Sequence, residues 1–527
     1  MNEEILKIVR ENGLLLEKEI FDLVSSFKDV SLAKDFLENL EKFSGQKIIT
    51  RSVLNKNFEH VQSVVNRLPG ENKAYIENIF FKLGLSLEIR KESSILDLNK
   101  GIDKQIDKQI HKTDFQIFSP DTQNKKITVS DFIGNFRSRY QELQRILMNR
   151  QEFQQNLVSI NKISGERQSI NIIGIVSEKR TTKNKNLIIK FEDLTGEISA
   201  LVKFDRKEVF DKASELQLDD VVGIKASGNR DILFIQDILF PDAFLHNKTR
   251  FESDISVAFI SDVHCGSNNH LGKSFEKFLE WINSPDPEAK KIKYIFFSGD
   301  NVDGVGIFPR QENVLELKSM KEQYALLASY LHKIPKHITI FMCPGQHDAV
   351  RVAEPQPVID RKYAGDLYNV DNLVLVSNPT TVKLLEGQKE FKVLMYHGAS
   401  IHTFINEIKE LREMKAHKTP AKAVKHMLKR RHLAPTHSSV TYIPNQDKDP
   451  LVISEVPDVL CTGEVHKLDV ENYNGVLIIT GSCWQAQTAF EEKVGNVPDP
   501  CKVPVLNLKT RELKVFDFTL EEDKNGN

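Results

Sequence analysis

Apolar residues change their spacing three times along this 527-residue chain, and each change predicts a different kind of element. Up to about residue 90 they recur at steps of three and four, the period of an amphipathic helix. Ile5, Ile8 and Val9 begin the stripe, and Leu14, Leu15, Leu16, Ile20, Leu23 and Val24 extend it. Phe36, Leu37 and Leu40, then Val61, Val64 and Val65, carry it on, which predicts a small helical domain over 1–90. That domain holds no cluster of catalytic residue types, so it either docks a partner or simply folds. Over 91–128 the apolar content thins, and the polar near-repeat GIDKQIDKQIHK suits a linker. A helical connector is predicted over 129–168, with Ser130 as N-cap and Phe132, Phe136, Tyr140, Leu143 and Leu147 on one stripe.

Residues 169–245 switch to strand patterning. SINIIGIVSEKR and NLIIKFEDLTGEISALVKF are rich in β-branched residues, with Gly196 placed for a tight turn. RKEVFDKASEL reads as a helix, and VVGIKASG and ILFIQDILF as two more strands. Five short strands and one helix in roughly 75 residues is the economy of an OB-fold barrel. The segment resembles OB modules that bind nucleic acid. Lys179, Arg180, Lys183 and Lys185 fall between its first two strands, as phosphate contacts or as a solvated loop.

Beyond Pro241 a third format repeats: a buried strand running straight into a polar tip. SVAFISDVHCG, KYIFFSGDNVDG, HITIFMCPGQHD, FKVLMYHG, PDVLCTGEVH and GVLIITGS all have it. Over 252–520 this predicts an α/β domain whose site residues lie past the carboxyl ends of the strands. The expected fold is therefore multidomain α/β: an N-terminal helical domain, a β-barrel and a C-terminal α/β sandwich.

Composition narrows the setting. The chain is 40% hydrophobic and 28% charged with a net charge of −2, which identifies no partner. Cys265, Cys343, Cys461, Cys483 and Cys501 are odd in number and form no C-x-x-C pair, arguing against a disulfide framework and for a reducing compartment. The first residues are acidic where a signal peptide is basic, and no run approaches a membrane span. A cytoplasmic protein without membrane contact is expected.

The strand tips carry the chemistry. Asp262 and His264 are two apart, so in an extended segment both face the same way. Asp300 follows Gly299; His347 and Asp348 follow Gly345 and Gln346; His397 precedes Gly398; His466 closes Gly463-Glu464-Val465-His466. Aspartate and histidine suit Mn, Fe or Zn. The series points to a two-metal phosphoesterase, in which one carboxylate bridges two cations. His347 alone reads as a ligand, a general acid or a hydrogen-bonded loop residue.

The motifs DVH, GD, GQHD, HG and GEVH, over residues 262–466, resemble those of the calcineurin-like metallophosphoesterases: D-x-H, G-D, G-N-H-D, H-G and G-H-x-H. With HDAVRVAEPQP, LKRRHLAP, VPDVL and SCWQAQT, most of the chain is similar to the small subunits of archaeal family-D DNA polymerases. That resemblance implies a proofreading 3′-to-5′ exonuclease acting on single-stranded 3′ ends of DNA, partnered in a heterodimer by a large catalytic subunit. It implies two divalent cations, Mn²⁺ first and Fe or Zn as alternatives. Asp262, His264 and His466 would hold one, His397, Gln346 and Glu464 the other, and Asp300 would bridge. His347 would be the catalytic histidine and Asp348 would orient it. Gln346 and Glu464 depart from the usual asparagine and histidine, and both fall on the second cation's site. The departures either compensate each other or weaken that site.

Between His397 and Glu464 lies KELREMKAHKTPAKAVKHMLKRR, nine Lys/Arg against two Glu. Lys422, Lys425 and Lys429 make a helical stripe that continues into Arg430 and Arg431. It reads as a non-specific DNA contact, or alternatively as a solvated face or a surface for an acidic partner. Three functions remain: the exonuclease subunit, a catalytically weakened scaffold docking the large subunit and DNA, and a free-standing phosphomonoesterase or protein phosphatase. The barrel, the helical domain and the basic stripe are superfluous for small substrates, which ranks the last lowest. Trp484 is expected to pack rather than to stack on a base.

Overall fold

The computed structural model describes residues 114–122, 126–153 and 156–521, with scattered positions among residues 7–49. The chain divides into two units, residues 1–110 and 111–527. In the first, Val9, Leu14, Val24 and Leu37 are buried. Leu15–Leu16 pairs in parallel with Ile48–Ile49, so two of the leucines assigned to the helical stripe are strand instead. Ile5, Ile20, Leu23, Phe36, Leu40, Val61, Val64, Val65 and the GIDKQIDKQIHK repeat lie outside the described residues.

The second unit begins inside the expected linker. Phe115–Phe118 (β1) is a sheet strand, with Ile117 opposite Val382 and Phe115 opposite Leu384. The helix Val129–Met148 (α1) is capped by Thr128 and not by Ser130; the Thr128 N–H donates to the Asp131 carboxylate at 2.8 Å. Tyr140, Leu143 and Leu147 are buried as predicted, while Asn135 and Arg139 are buried through Asp449, at 3.0 and 2.7 Å.

Gln168–Thr181 (β2), Leu187–Glu192 (β3), Glu197–Val202 (β4), Val221–Gly228 (β5) and Leu233–Leu239 (β6) close a barrel in the order β2-β3-β4-β6-β5. The helix Lys207–Glu215 (α2) sits between β4 and β5. Alternate residues point inward, among them Ile172, Ile189, Ala200, Ile224 and Leu233, and fill the barrel.

Two six-stranded sheets follow. One runs β10-β9-β8-β7-β16-β17, from Leu373–Leu375 (β10), Thr339–Cys343 (β9), Ile292–Ser298 (β8) and Ser256–Ile260 (β7) to Lys502–Asn507 (β16) and Leu513–Asp517 (β17). The other runs β14-β15-β13-β12-β11-β1, from Asp469–Tyr473 (β14), Val476–Thr480 (β15) and Val459–Thr462 (β13) through Lys389–Met395 (β12) and Thr380–Glu386 (β11). The period of two explains the layers. Val257 and Phe259 join Phe296, Phe341, Val393, Cys461 and Ile479 in a core between the sheets. Ala258 and Ile260 face the other way, onto Phe275 and Phe278 of the helix Gly272–Ile282 (α3) and Leu327 of Met320–Leu331 (α4). On the far side, Leu394, Leu460 and Ile478 pack on Phe404 of Ile401–Glu407 (α5) and on Val424 and Met427 of Ala421–Arg430 (α6). Within the sheets β7, β8, β9 and β10 are mutually parallel, as are β12, β13 and β15, which gathers seven strand ends. Trp484 is buried, its ring 4.7 Å from that of Phe275, in agreement with the packing role. Among the described residues no helix is long and apolar enough to cross a membrane.

Candidate metal centre

Each expected ligand sits just past a strand end. Asp262 and His264 follow β7, Asp300 follows β8, and Gln346 and His347 follow β9. On the second sheet His397 follows β12, and Glu464 and His466 follow β13. The turns are tight: Asp262, His264, Asp300, Glu464 and His466 all have left-handed φ, between 48° and 75°. Side chains other than glycine seldom adopt that conformation, and it concentrates where a site over-determines the backbone. Asp262 and His264 therefore converge through a sharp turn and not through an extended segment. The floor is equally close. A Cβ on Gly345 would stand 2.1 Å from Asp300 Oδ1, and one on Gly299 2.3 Å from His397 Nδ1.

These turns bring Asp262, His264 and His466 together, and Asp262, Asp300 and His397 together, with every ligand atom of a trio within 4.8 Å of the others. Asp262 is the carboxylate common to both trios, the place expected of Asp300. A third trio is His264, Asp303 and His347. Glu464 Oε2 lies 3.1 Å from His397 Nε2, and its other oxygen 3.5 Å from His402 Nε2. Gln346 is half-buried beside His347.

The four histidines share one orientation. His397 Nδ1 lies 2.8 Å from the Ser298 carbonyl and His347 Nδ1 2.6 Å from the Asp303 carbonyl. A carbonyl only accepts, so both Nδ1 atoms carry the proton. His264 Nδ1 and His466 Nδ1 each lie 3.1 Å from a carboxylate, of Asp303 and Glu491. In the neutral rings every Nε2 is then a free lone pair facing the centre. His264 Nε2 and His466 Nε2 are 3.1 Å apart, and His397 Nε2 is buried without a directed hydrogen bond, as is Asp262 Oδ2. Outer acceptors that fix the tautomer while Nε2 points inward are the usual support of a metal-binding histidine.

The charges agree. Burial pulls His397 and His466 down, but Asp300 and Glu464 around the first, and Cys483 with Glu491 and Asp262 around the second, outweigh it and hold both well above the ordinary imidazole range. Burial raises Asp262, whereas His397 and His347 pull Asp300 far below the usual carboxylate value. A divalent cation would take the place of those imidazole protons among the carboxylates, so the donor set fits such a metal.

Asp303 and Glu491 escaped the sequence reading. Asp303 was within reach as a second carboxylate in the loop of Asp300; Glu491 enters from a helix 25 residues beyond its histidine, with no spacing signal. Asp348 departs from its expected role. The ring of His347 is held by the Asp303 carbonyl, while Asp348 accepts from Gly345 N (2.9 Å), Asn301 Nδ2 (2.9 Å) and Tyr324 Oη (2.9 Å). It ties the loops under the site together. Burial and the neighbouring Asp300 push it up to about 6.

The basic stretch is not the free DNA surface expected. Arg430, 2% exposed, pairs with Asp220 at 3.0 Å, and Lys429 with Glu215 at 2.6 Å, so both cations join α6 to the barrel. Arg431 is buried and donates to the carbonyls of Ile453 and Ser454. Lys422 pairs with Glu471 at 3.1 Å, and Lys425 stands over the Tyr473 ring. Lys179 is likewise turned inward, donating to the Ser214 and Leu216 carbonyls, whereas Arg180, Lys183 and Lys185 are exposed.

The family model that describes the B subunits of DNA polymerases alpha and epsilon matches residues 257–469, which contain every expected ligand. Over 526 residues, 98% of this chain and 100% of the relative, the chain is 33% identical to the DNA polymerase II small subunit of Methanothermobacter thermautotrophicus. The chain belongs to the DNA polymerase II small subunit family. The member from Thermoplasma acidophilum is 34% identical, over 82% of this chain and 86% of its own. The member from Pyrococcus horikoshii is 32% identical, over 96% and 80%. The Pyrococcus furiosus member is longer, and the match spans 64% of it.

Proposed function

We propose that this small subunit is a 3′-to-5′ exonuclease that hydrolyses DNA phosphodiesters from single-stranded ends, as the proofreading partner of a large polymerase subunit. The observation that carries the reading is the set of four histidines whose Nδ1 atoms are tied outward and whose Nε2 atoms converge among carboxylates. A scaffold has no use for such an arrangement. The two-sheet domain is then a calcineurin-like phosphoesterase, and the barrel an OB-type module beside it.

Asp262, His264 and His466 would hold one divalent ion, and Asp262 again with Asp300 and His397, with Glu464 and Gln346 at the edge, the other. Mn²⁺ suits these donors, with Fe or Zn as alternatives. Such ions supply charge neutralisation at the phosphoryl oxygens and an acidified water. The residues of the chain supply the rest. Asp303 and Glu491 lock the rings of His264 and His466, the Ser298 carbonyl locks His397, and Asp348 fixes the loops beneath. His347 Nε2 stands 4.0 Å from Asp300 Oδ2, and that carboxylate, with Asp303, raises its pKa against the effect of burial. A protonated His347 at the rim can pass its proton to the departing 3′ oxygen, a poor leaving group as the alkoxide.

Digestion of a 5′-labelled single-stranded oligonucleotide in Mn²⁺ tests the reading. The wild-type chain should shorten it stepwise from the 3′ end, and His347→Ala should be at least about a hundredfold slower. An intact oligonucleotide, even with the large subunit present, would leave the scaffold role in its place.

A further inference from the structure

Two segments tied to the supports of the centre's histidines expose apolar side chains, although a phosphate group has no use for them. The first is the loop of residues 304–310, where Val305, Ile307 and Phe308 are 45%, 41% and 45% exposed. Its foot is rigid. Gly304 N donates to Gln323 Oε1 (2.9 Å), Gln311 Nε2 donates to the Asp303 carbonyl (2.8 Å), and Ile307 N donates to Gln311 Oε1 (2.9 Å). Asp303 is the residue that holds both His264 and His347, so this loop grows directly out of the site's support. The second segment is the helix Ala489–Val494 (α7). Its Glu491 holds His466, and Phe490 beside it is 72% exposed.

One exposed aromatic residue is thus borne by the loop that leaves Asp303, the support of His264 and His347, and one by the helix whose Glu491 holds His466. A protein covering both would shut the site off from its substrate. Nucleobases adjoining the phosphodiester would not, and every base offers a flat face to an aromatic ring whatever its identity. Resting on the exonuclease reading above, we propose that Phe308 and Phe490 are stacking platforms for the terminal bases of a single-stranded DNA 3′ end. Sequence-independent stacking suits an enzyme that must accept any terminal nucleotide.

The test is binding without cleavage. Fluorescence anisotropy of the full chain in EDTA would compare a labelled oligothymidylate with the same oligomer abasic at its last two positions. The wild-type chain should prefer the base-bearing oligomer about tenfold or more. Phe308→Ala and Phe490→Ala should each shrink that ratio about threefold or more, and Phe308→Trp should preserve it. A ratio equal to the wild-type value in both alanine variants would overturn the proposal. So would an unchanged ratio accompanied by weaker capture of the large subunit, which would make the patches a protein interface. Because nothing is cut here, failure of the wild-type digestion above stands apart from failure of this comparison.

Discussion

At the scale of single residues, the direction of an imidazole says more than its presence. Asp303 serves two histidines at once, through its carboxylate and its carbonyl. Asp303→Ala keeps the carbonyl but removes the carboxylate, with its contacts to His264, Gln311 and Gln485, and should lower Mn²⁺ affinity about 10- to 100-fold by freeing the His264 ring. Calorimetric titration of the variant would check this, and an unchanged affinity would deny Asp303 its supporting role. Glu354 offers a pH test at a residue that is not itself a ligand, although His397 and Glu464 lie near enough to act on its charge. Burial pushes its carboxyl up to about 8 from 4.5, against the stabilising Tyr396 hydroxyl at 3.2 Å. A carboxyl whose pKa is raised on folding contributes stability below the unfolded value, and that contribution is lost as pH rises through about 8. Glu354→Gln should therefore be more stable than wild type at pH 9, by on the order of 1–3 kcal/mol, and differ little at pH 5. Melting curves at the two pH values decide it. Of these residues the ligands were legible, because they follow glycine-marked strand ends. Their supports were not: an outer acceptor needs only to be near in space.

At the scale of elements, spacing gave the type and order of the strands, while pairing needed contacts that sequence period does not encode. FQIF at 115–118 alternates too briefly to stand out from a polar stretch, yet it completes a sheet edge. The basic helix failed for a related reason. Its cations do recur on one stripe, but the acids that meet Lys429 and Arg430, Glu215 and Asp220, come from the barrel more than 200 residues earlier. Arg430→Ala would leave Asp220 buried and unpaired, and should cost about 3–5 kcal/mol of stability. Urea unfolding would show a lower midpoint, where a DNA contact would instead show wild-type stability with weaker, less salt-dependent binding.

At the scale of the molecule, strand ends from both sheets meet at one centre, so the site forms only when the two are packed. The barrel is tied to that domain by the buried Arg430–Asp220 pair, and α1 by Arg139–Asp449. Counting cations tests the inward-facing nitrogens most directly. Metal-free full-length chain titrated with Mn²⁺ in a calorimeter should bind two ions, about one after His466→Ala and about one after His397→Ala. Wild-type chain that binds none, or variants that bind as the wild type does, would contradict a metal centre at these residues.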